Sequence, residues 1–383
     1  MARVQTAAPA VPPMDLASAS TNRLLIQGVD GNLFTIAPDG TGRISLTDDG
    51  GTNTIYTQPT WSSNGERMAW TAIERSSGNS QLITTLANGT ARTSAETPYP
   101  PFYLYWSPDD SKVAYLSNWP INNNSSIALR IVDIAAGGER ATTVDTGQPY
   151  YFSWAPTSEQ IVAHVGNRQV RLLDLTTLDA DSAPTILLDD SANFAAPQWY
   201  APQSGAAELV SGQLLYVIDD SNTAQLVVSD IAGEDQQFLT YLSRQDFVSF
   251  NLNANGSRVA YIETTDFVGL NSFGPLFVYD LQEEIFEQIS TDPAIAFFWS
   301  PDGGSLFYLT VEPVDGNPWL RVNVWNGRVV QQFDRFVPSP SFLRDYLRFA
   351  DQYVQSMRFW APDIAVVYAG KPKMAPPACG YSR

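Results

Sequence analysis

The sequence predicts an all-β protein, a seven-bladed β-propeller of four-stranded antiparallel blades, on three observations. A short pattern recurs roughly every 45 to 60 residues: an aromatic, Ser/Ala-Pro-Asp or its relic, then an apolar run ending in an aromatic. Aromatics make up 12% of the 383 residues, and helical stretches rich in Lys and Glu are absent, which suits strands and turns. Asp30-Gly31, Asp39-Gly40 and Asn64-Gly65 punctuate short apolar runs, as tight hairpins require. A fixed period also overrides the two or three domains that length alone suggests, because stacked copies of one unit share one continuous core.

Residues 1–21, rich in Ala, Pro and Ser and without a period, read as a flexible lead. The propeller is assigned to residues 22–370, and residues 371–383, of different composition, form a loose tail. Short β runs begin with Arg23 to Gln27, Asn32 to Ala37 and Arg43 to Thr47. The repeats then follow: Trp61-Ser-Ser-Asn-Gly to Trp70, Trp106-Ser-Pro-Asp-Asp to Tyr115, Trp154-Ala-Pro-Thr to Val162, Trp299-Ser-Pro-Asp-Gly to Tyr308, and Trp360-Ala-Pro-Asp to Tyr368. Two copies are degraded, Trp199-Tyr-Ala-Pro with its strand delayed to Leu214–Tyr216, and Leu252-Asn-Ala-Asn-Gly leading to Tyr261. Pro fixes φ and Asp, Asn or Gly accepts the turn geometry, so the first two strands of each unit reverse sharply while the aromatics pack between neighbouring units.

Blades are expected to start near Pro59, Tyr103, Phe152, Pro197, Val248, Ala296 and Met357. One segment departs from this grammar. Ser339-Pro340 caps a run with Phe342, Leu343, Tyr346, Leu347 and Ala350 at helical spacing, which predicts one inserted helix near 340–354. The last blade is expected to be closed by both chain ends, since closure removes exposed sheet edges. Arg358 to Trp360 and Ala365 to Tyr368 supply its inner strands and residues 32–47 its outer ones, so residues 32–47 should pair with the strand near Ala365 to Tyr368. That leaves Arg23 to Gln27 as a surplus strand. Either it competes with Ala365 to Tyr368, or the natural chain runs on and the ring has eight blades.

Trp106-Ser-Pro-Asp-Asp-Ser-Lys-Val-Ala-Tyr, Trp299-Ser-Pro-Asp-Gly-Gly-Ser-Leu-Phe-Tyr and Leu252-Asn-Ala-Asn-Gly-Ser-Arg-Val-Ala-Tyr resemble the repeat of TolB-type, WD-repeat-like β-propellers. The resemblance covers about residues 22–370. It implies the fold and leaves the function open, because such repeats build periplasmic scaffolds, carbohydrate- or peptide-binding propellers and the lids of prolyl oligopeptidase-like serine peptidases. It also favours an extracytoplasmic location, although the sequence shows no signal peptide.

A formal charge of −18 makes nucleic acid an unexpected partner. No apolar run reaches the about 18 residues of a membrane span. The single cysteine, Cys379, allows no internal disulfide, and a monomer is expected. No Gly-x-Ser-x-Gly elbow and no phosphate-binding Gly loop occurs. The only histidine, His164, lies inside the apolar run Ile161-Val-Ala-His-Val and reads as a strand residue. Asp48-Asp49, Asp109-Asp110, Asp189-Asp190 and Asp219-Asp220 sit at expected turns without the spacing of a calcium loop, so no metal or cofactor is predicted. The expectation is therefore a non-catalytic module that binds or scaffolds a protein, peptide or glycan. The alternatives are an orphan propeller of a serine peptidase and a carbohydrate-active enzyme with carboxylates converging in the channel. The segments leading into each first strand ring one mouth of the channel, and Tyr99, Tyr150, Phe194, Asp246 and Arg358 stand out among them as binding residues. These aromatics either form a recognition surface or pack between blades.

Overall fold

The computed structural model describes residues 23–337, apart from 29, 38–39, 121–125, 177–182, 201–212, 221–222, 243–247, 254, 264–265, 269–270, 301–302 and 316, together with 366–368. The strands run β1 (Leu24–Gln27), β2 (Leu33–Ile36), β3 (Ile44–Ser45), β4 (Thr54–Trp61), β5 (Arg67–Glu74), β6 (Ser80–Leu86) and β7 (Thr93–Thr97). They continue with β8 (Phe102–Trp106), β9 (Lys112–Asn118), β10 (Ile127–Asp133), β11 (Ala141–Gly147), β12 (Tyr150–Trp154), β13 (Gln160–Val165), β14 (Gln169–Asp174) and β15 (Thr185–Leu188). Next come β16 (Gln198–Tyr200), β17 (Gln213–Asp220), β18 (Thr223–Ser229), β19 (Gln237–Leu242), β20 (Val248–Leu252), β21 (Arg258–Glu263) and β22 (Asp266–Val268). The series ends with β23 (Asn271–Asp280), β24 (Ile285–Trp299), β25 (Leu306–Val314), β26 (Asn317–Trp325), β27 (Val330–Phe336) and β28 (Val366–Tyr368).

The protein is an all-β propeller. Blade 1 is ordered β28-β1-β2-β3, and blades 2 to 5 take the next strands in consecutive fours. Blades 6 and 7 share one sheet, because the 15-residue β24 is the outer strand of the former and the inner strand of the latter. The described strands thus form seven four-stranded units, consistent with a seven-bladed ring. Asp292 to Ala296, one of the segments leading into an expected first strand, is continuous strand; its register shifts between Ala294 and Ala296, which lets the strand carry Pro293. The expected helix near 340–354 lies outside the described residues.

Closure differs from expectation. β28 pairs with β1, in parallel, matching Leu25 with Val366, Ile26 with Val367 and Gln27 with Tyr368. Residues 33–36 pair with β1 and with β3, not with β28. The strand expected as surplus therefore takes the second place in blade 1. The physical reason is hairpin locality: β1 and β2 are joined through the tight turn at Asp30-Gly31, so a distant strand gains only the free edge of β1.

Burial follows from stacking. Second strands such as β5, β9 and β13 are buried on both faces, whereas the outer strand β27 is exposed nearly throughout. The core accordingly lies between blades: Ala69, Leu82 and Ala95 of blade 2 pack with Leu104, Val113, Tyr115 and Val132 of blade 3. Ala114, Leu129 and Ile131 on the other face of blade 3 pack with Phe152 and Ile161 of blade 4.

The repeat motif does two jobs. The residue after its aromatic closes the hairpin, as when Ser107 N donates to Lys112 O while Ser107 Oγ accepts from Lys112 N. Asn253 and Ser300 make the same pair of bonds with Arg258 and Ser305. Three residues further on, the backbone is left-handed at Gly65, Asp110, Ser158, Gly256 and Gly303, which is why glycine recurs there. The aromatic ties blades together: the indole Nε1 of Trp154, Trp199 and Trp299 donates to the carbonyls of Tyr105, Ser153 and Asn251 in the preceding blade.

Candidate functional site

Because strands alternate in direction, the connections between blades and those joining second to third strands lie at one end, opposite the motif turns. At this end, between blades 2 and 3, Tyr99 meets Trp119 edge-on, with centroids 6.5 Å apart and planes at 87°. Both rings are half-buried. Behind Trp119 lies Arg130, whose guanidinium carbon is 4.9 Å from the indole centroid, a cation–π arrangement.

Arg130 is on β10, directly opposite Tyr115 on β9, and Ser117 lies two residues along the same face of β9. The side chain is buried, at 5% exposure, yet among the described residues it has no carboxylate within ion-pair distance. Among the described residues Arg130 Nε and Ser117 Oγ are each buried without a hydrogen-bond partner, and Tyr115 Oη has none but the Arg130 guanidinium beside it. Burial pushes the Tyr115 hydroxyl up to about 12, with the nearby Arg130 charge pulling the other way. Three polar groups thus sit on one face with no acid among the described residues to complete them, an arrangement that costs stability.

The next interface shows a completed version. Arg171 Nη1 donates to both oxygens of Asp145, at 3.0 and 2.9 Å, and Tyr150 Oη donates to the same carboxylate at 2.8 Å. Gln169 Oε1 accepts from Arg171 Nε and Nη2.

Of the five residues singled out from the sequence, only Tyr99 is placed at this half-open end. Tyr150 and Phe194 are sealed in the interior, at 1% and 0% exposure, because their rings fill the space between blades. Asp246 and Arg358 lie outside the described residues. Phe194 stacks on His164 with centroids 4.0 Å apart and planes at 7°. His164 Nδ1 bonds the Phe194 carbonyl at 2.8 Å and Nε2 meets Ser191 Oγ at 2.9 Å. A carbonyl only accepts, so Nδ1 carries the proton and Ser191 donates to Nε2. Burial lowers the pKa of His164 to about 4, leaving a neutral ring.

The turn carboxylates are engaged in structure. Asp110 accepts from Ser63 N and Asn64 N of blade 2, at 2.6 and 3.1 Å. Asp109 is raised by burial but held down at about 2 by hydrogen bonds from Ser107 and Ser111. Asp49 accepts from Thr54 and Tyr56. Among the described residues no group of three or more His, Cys, Asp or Glu is arranged to hold a metal.

The sequence reading missed Arg130, Trp119, Tyr115 and Ser117. The available signal was an arginine in the middle of Ile127-Ala-Leu-Arg-Ile-Val, a run otherwise buried on both sides.

No protein-family model and no curated protein matches the chain. Solved structures do. Dipeptidyl peptidase 4 from Porphyromonas gingivalis is 12% identical over 83% of this chain and 50% of that one, with a TM-score of 0.50. The β-propeller domain of the Trilobed protease from Pyrococcus furiosus is 14% identical over 83% of this chain and all of that domain, at 0.47. TolB from Acinetobacter baumannii is 14% identical over 82% and 80%, at 0.42. The structural neighbours thus include TolB and other β-propellers. At these identities the likeness concerns the fold alone.

Proposed function

We propose that the chain is a non-catalytic β-propeller that binds a protein, peptide or glycan at the end marked by Tyr99 and Trp119. The observation that carries this reading is the meeting of two half-buried aromatic rings with a guanidinium behind them, since Trp, Tyr and Arg are the residues that concentrate binding energy. The committed state of the acid–base groups supports it: His164 is closed in by Phe194 and Ser191, and Asp49, Asp109 and Asp110 cap turns or neighbouring strands.

Peptide and glycan arrays probed with the folded protein test this. A discrete ligand set is expected, with capture falling about tenfold in Tyr99→Ala and Trp119→Ala at unchanged melting temperature. Turnover of an arrayed peptide or glycan, or capture indifferent to both substitutions, overturns the proposal.

A further inference from the structure

Arg130 and Arg171 occupy the same place in successive blades. Arg130 pairs with Tyr115, nine residues after Trp106, and Arg171 pairs with Ala163, nine residues after Trp154. The partner of Arg171 is equally traceable. Asp145 stands opposite Leu129, which stands opposite Leu116, ten residues after Trp106. One blade back the same path runs from Thr71, ten residues after Trp61, through Leu82 to Ala95. Ala95 is therefore the counterpart of Asp145, and it ends at Cβ. The second donor to that carboxylate is missing as well: Tyr150 stands four residues before its Trp, and at that place in blade 3, where the register shifts, Pro101 and Phe102 carry no hydroxyl. The repeat retains its arginine here and lacks the acid that neutralises it.

We propose that the interface between blades 2 and 3 is a carboxylate-binding site, in which a ligand's carboxylate docks on Arg130 in the position that Asp145 holds beside Arg171. This rests on reading the chain as a binding module and names the chemistry of its ligand. The guanidinium fork matches two carboxylate oxygens. Tyr115 Oη, beside the guanidinium, and Ser117 Oγ, on the same face, supply further donors. Trp119 and Tyr99, half-exposed at the adjoining end, lie where the rest of the ligand would pass. A single carboxylate suits the molecule better than a polyanion, because the chain carries a formal charge of −18. The cost of a buried cation with no carboxylate among the described residues fits a group that waits for a partner.

A free small acid and the terminal carboxylate of a peptide share this chemistry. Thermal melts of the full chain with acetate or N-acetylglycine, at matched ionic strength, distinguish them, with acetamide and N-acetylglycinamide as neutral controls. Wild type should gain about 2 °C at tenfold excess of an acid over its Kd and nothing from the amides. Stronger stabilisation by N-acetylglycine supports a peptide terminus; response to acetate alone supports a free acid. Arg130→Met should lose the response without a lower melting temperature, since it removes an unpaired buried charge. Ala95→Asp should restore the Asp145 arrangement within the chain, raise the melting temperature without ligand and abolish the response. The proposal falls if wild type ignores both acids, if inorganic phosphate stabilises it as much as they do, or if Arg130→Met responds like wild type. In any of those cases an array ligand lost on Trp119→Ala still stands for the broader binding reading.

Discussion

His164 shows how one residue's surroundings set a property of the whole molecule. Its ring lies flat on Phe194, with both nitrogens engaged, and desolvation lowers its pKa from 6.5 to about 4. The folded state therefore resists the proton that the unfolded chain accepts. Between pH 6.5 and 4 the unfolded state holds more protons, so stability is fully present above 6.5 and is lost as pH falls, by on the order of 3 kcal/mol. Carboxylates held down by hydrogen bonds, such as Asp109 at about 2, lose their contribution only below about pH 4, which separates the two effects. Denaturant midpoints measured from pH 7 to 4.5 should show this slope in wild type and a flat profile in His164→Gln. An equal slope in both would assign the pH dependence to other groups. The sequence placed His164 in a buried strand, but its partners Ser191 and Phe194 come from the connection between blades, and no local spacing links them to it.

At the scale of the element, the motif turn recurs with a left-handed residue four places after its aromatic, filled by glycine in three copies and by Asp110 and Ser158 in two. Those two side chains reach back to an adjoining turn: Asp110 accepts from Ser63 N and Asn64 N, and Ser158 Oγ accepts from Asp109 N. Replacing either by glycine relieves a backbone cost of about 1 kcal/mol and removes the tie. For Ser158→Gly the bond from Asp109 N and the hydroxyl's hydrogen bond to the Asp109 carboxylate are both lost, which leaves a net cost of about 0.5–1 kcal/mol. For Asp110→Gly two bonds to an ionised acceptor are lost, and a net destabilisation of about 1–2 kcal/mol is expected from urea titration. Stabilisation by both substitutions would mean that the ties across the turns carry no weight. The turns were legible because their chemistry is local, and blades 3 to 6 start at Phe102, Tyr150, Gln198 and Val248, beside the expected Tyr103, Phe152, Pro197 and Val248, whereas blade 2 starts at Thr54, before the expected Pro59. The merging of blades 6 and 7 through β24 was not, since Asp292-Pro293 reads as a loop and only pairing on both sides makes it strand. Arg130 escaped notice for a related reason. The arginine stands out only against its counterpart Arg171, and the two align through strand register, not through their distances from the motif Trp, because the connection from β9 to β10 is longer than that from β13 to β14.

For the whole molecule the governing fact is that blade 1 draws on both ends of the chain. Strand-to-strand hairpins hold blades 2 to 7 together locally, but β28 reaches β1 across more than 300 residues and pairs with it in parallel. Such a contact is bought with loop-closure entropy and forms late, so it is the seam where the molecule opens first. Without β28, β1 presents an unpaired edge beside β4, the first strand of blade 2. Val367→Pro tests the seam, because proline removes a donor from the middle of the three matched pairs and leaves the rest of the sequence intact. Hydrogen exchange should then quicken at the β1 amides directed away from β2, while those of β5 and β9, buried within blades 2 and 3, keep their protection. The melting temperature should fall by a few degrees, about what loss of one or two backbone bonds gives. If exchange quickens uniformly in all blades, the seam is coupled to the global core and the molecule unfolds as one unit. If it is unchanged even in β1, the pairing of β28 with β1 contributes nothing to the closure of blade 1, and the edge of β1 must be protected by other means.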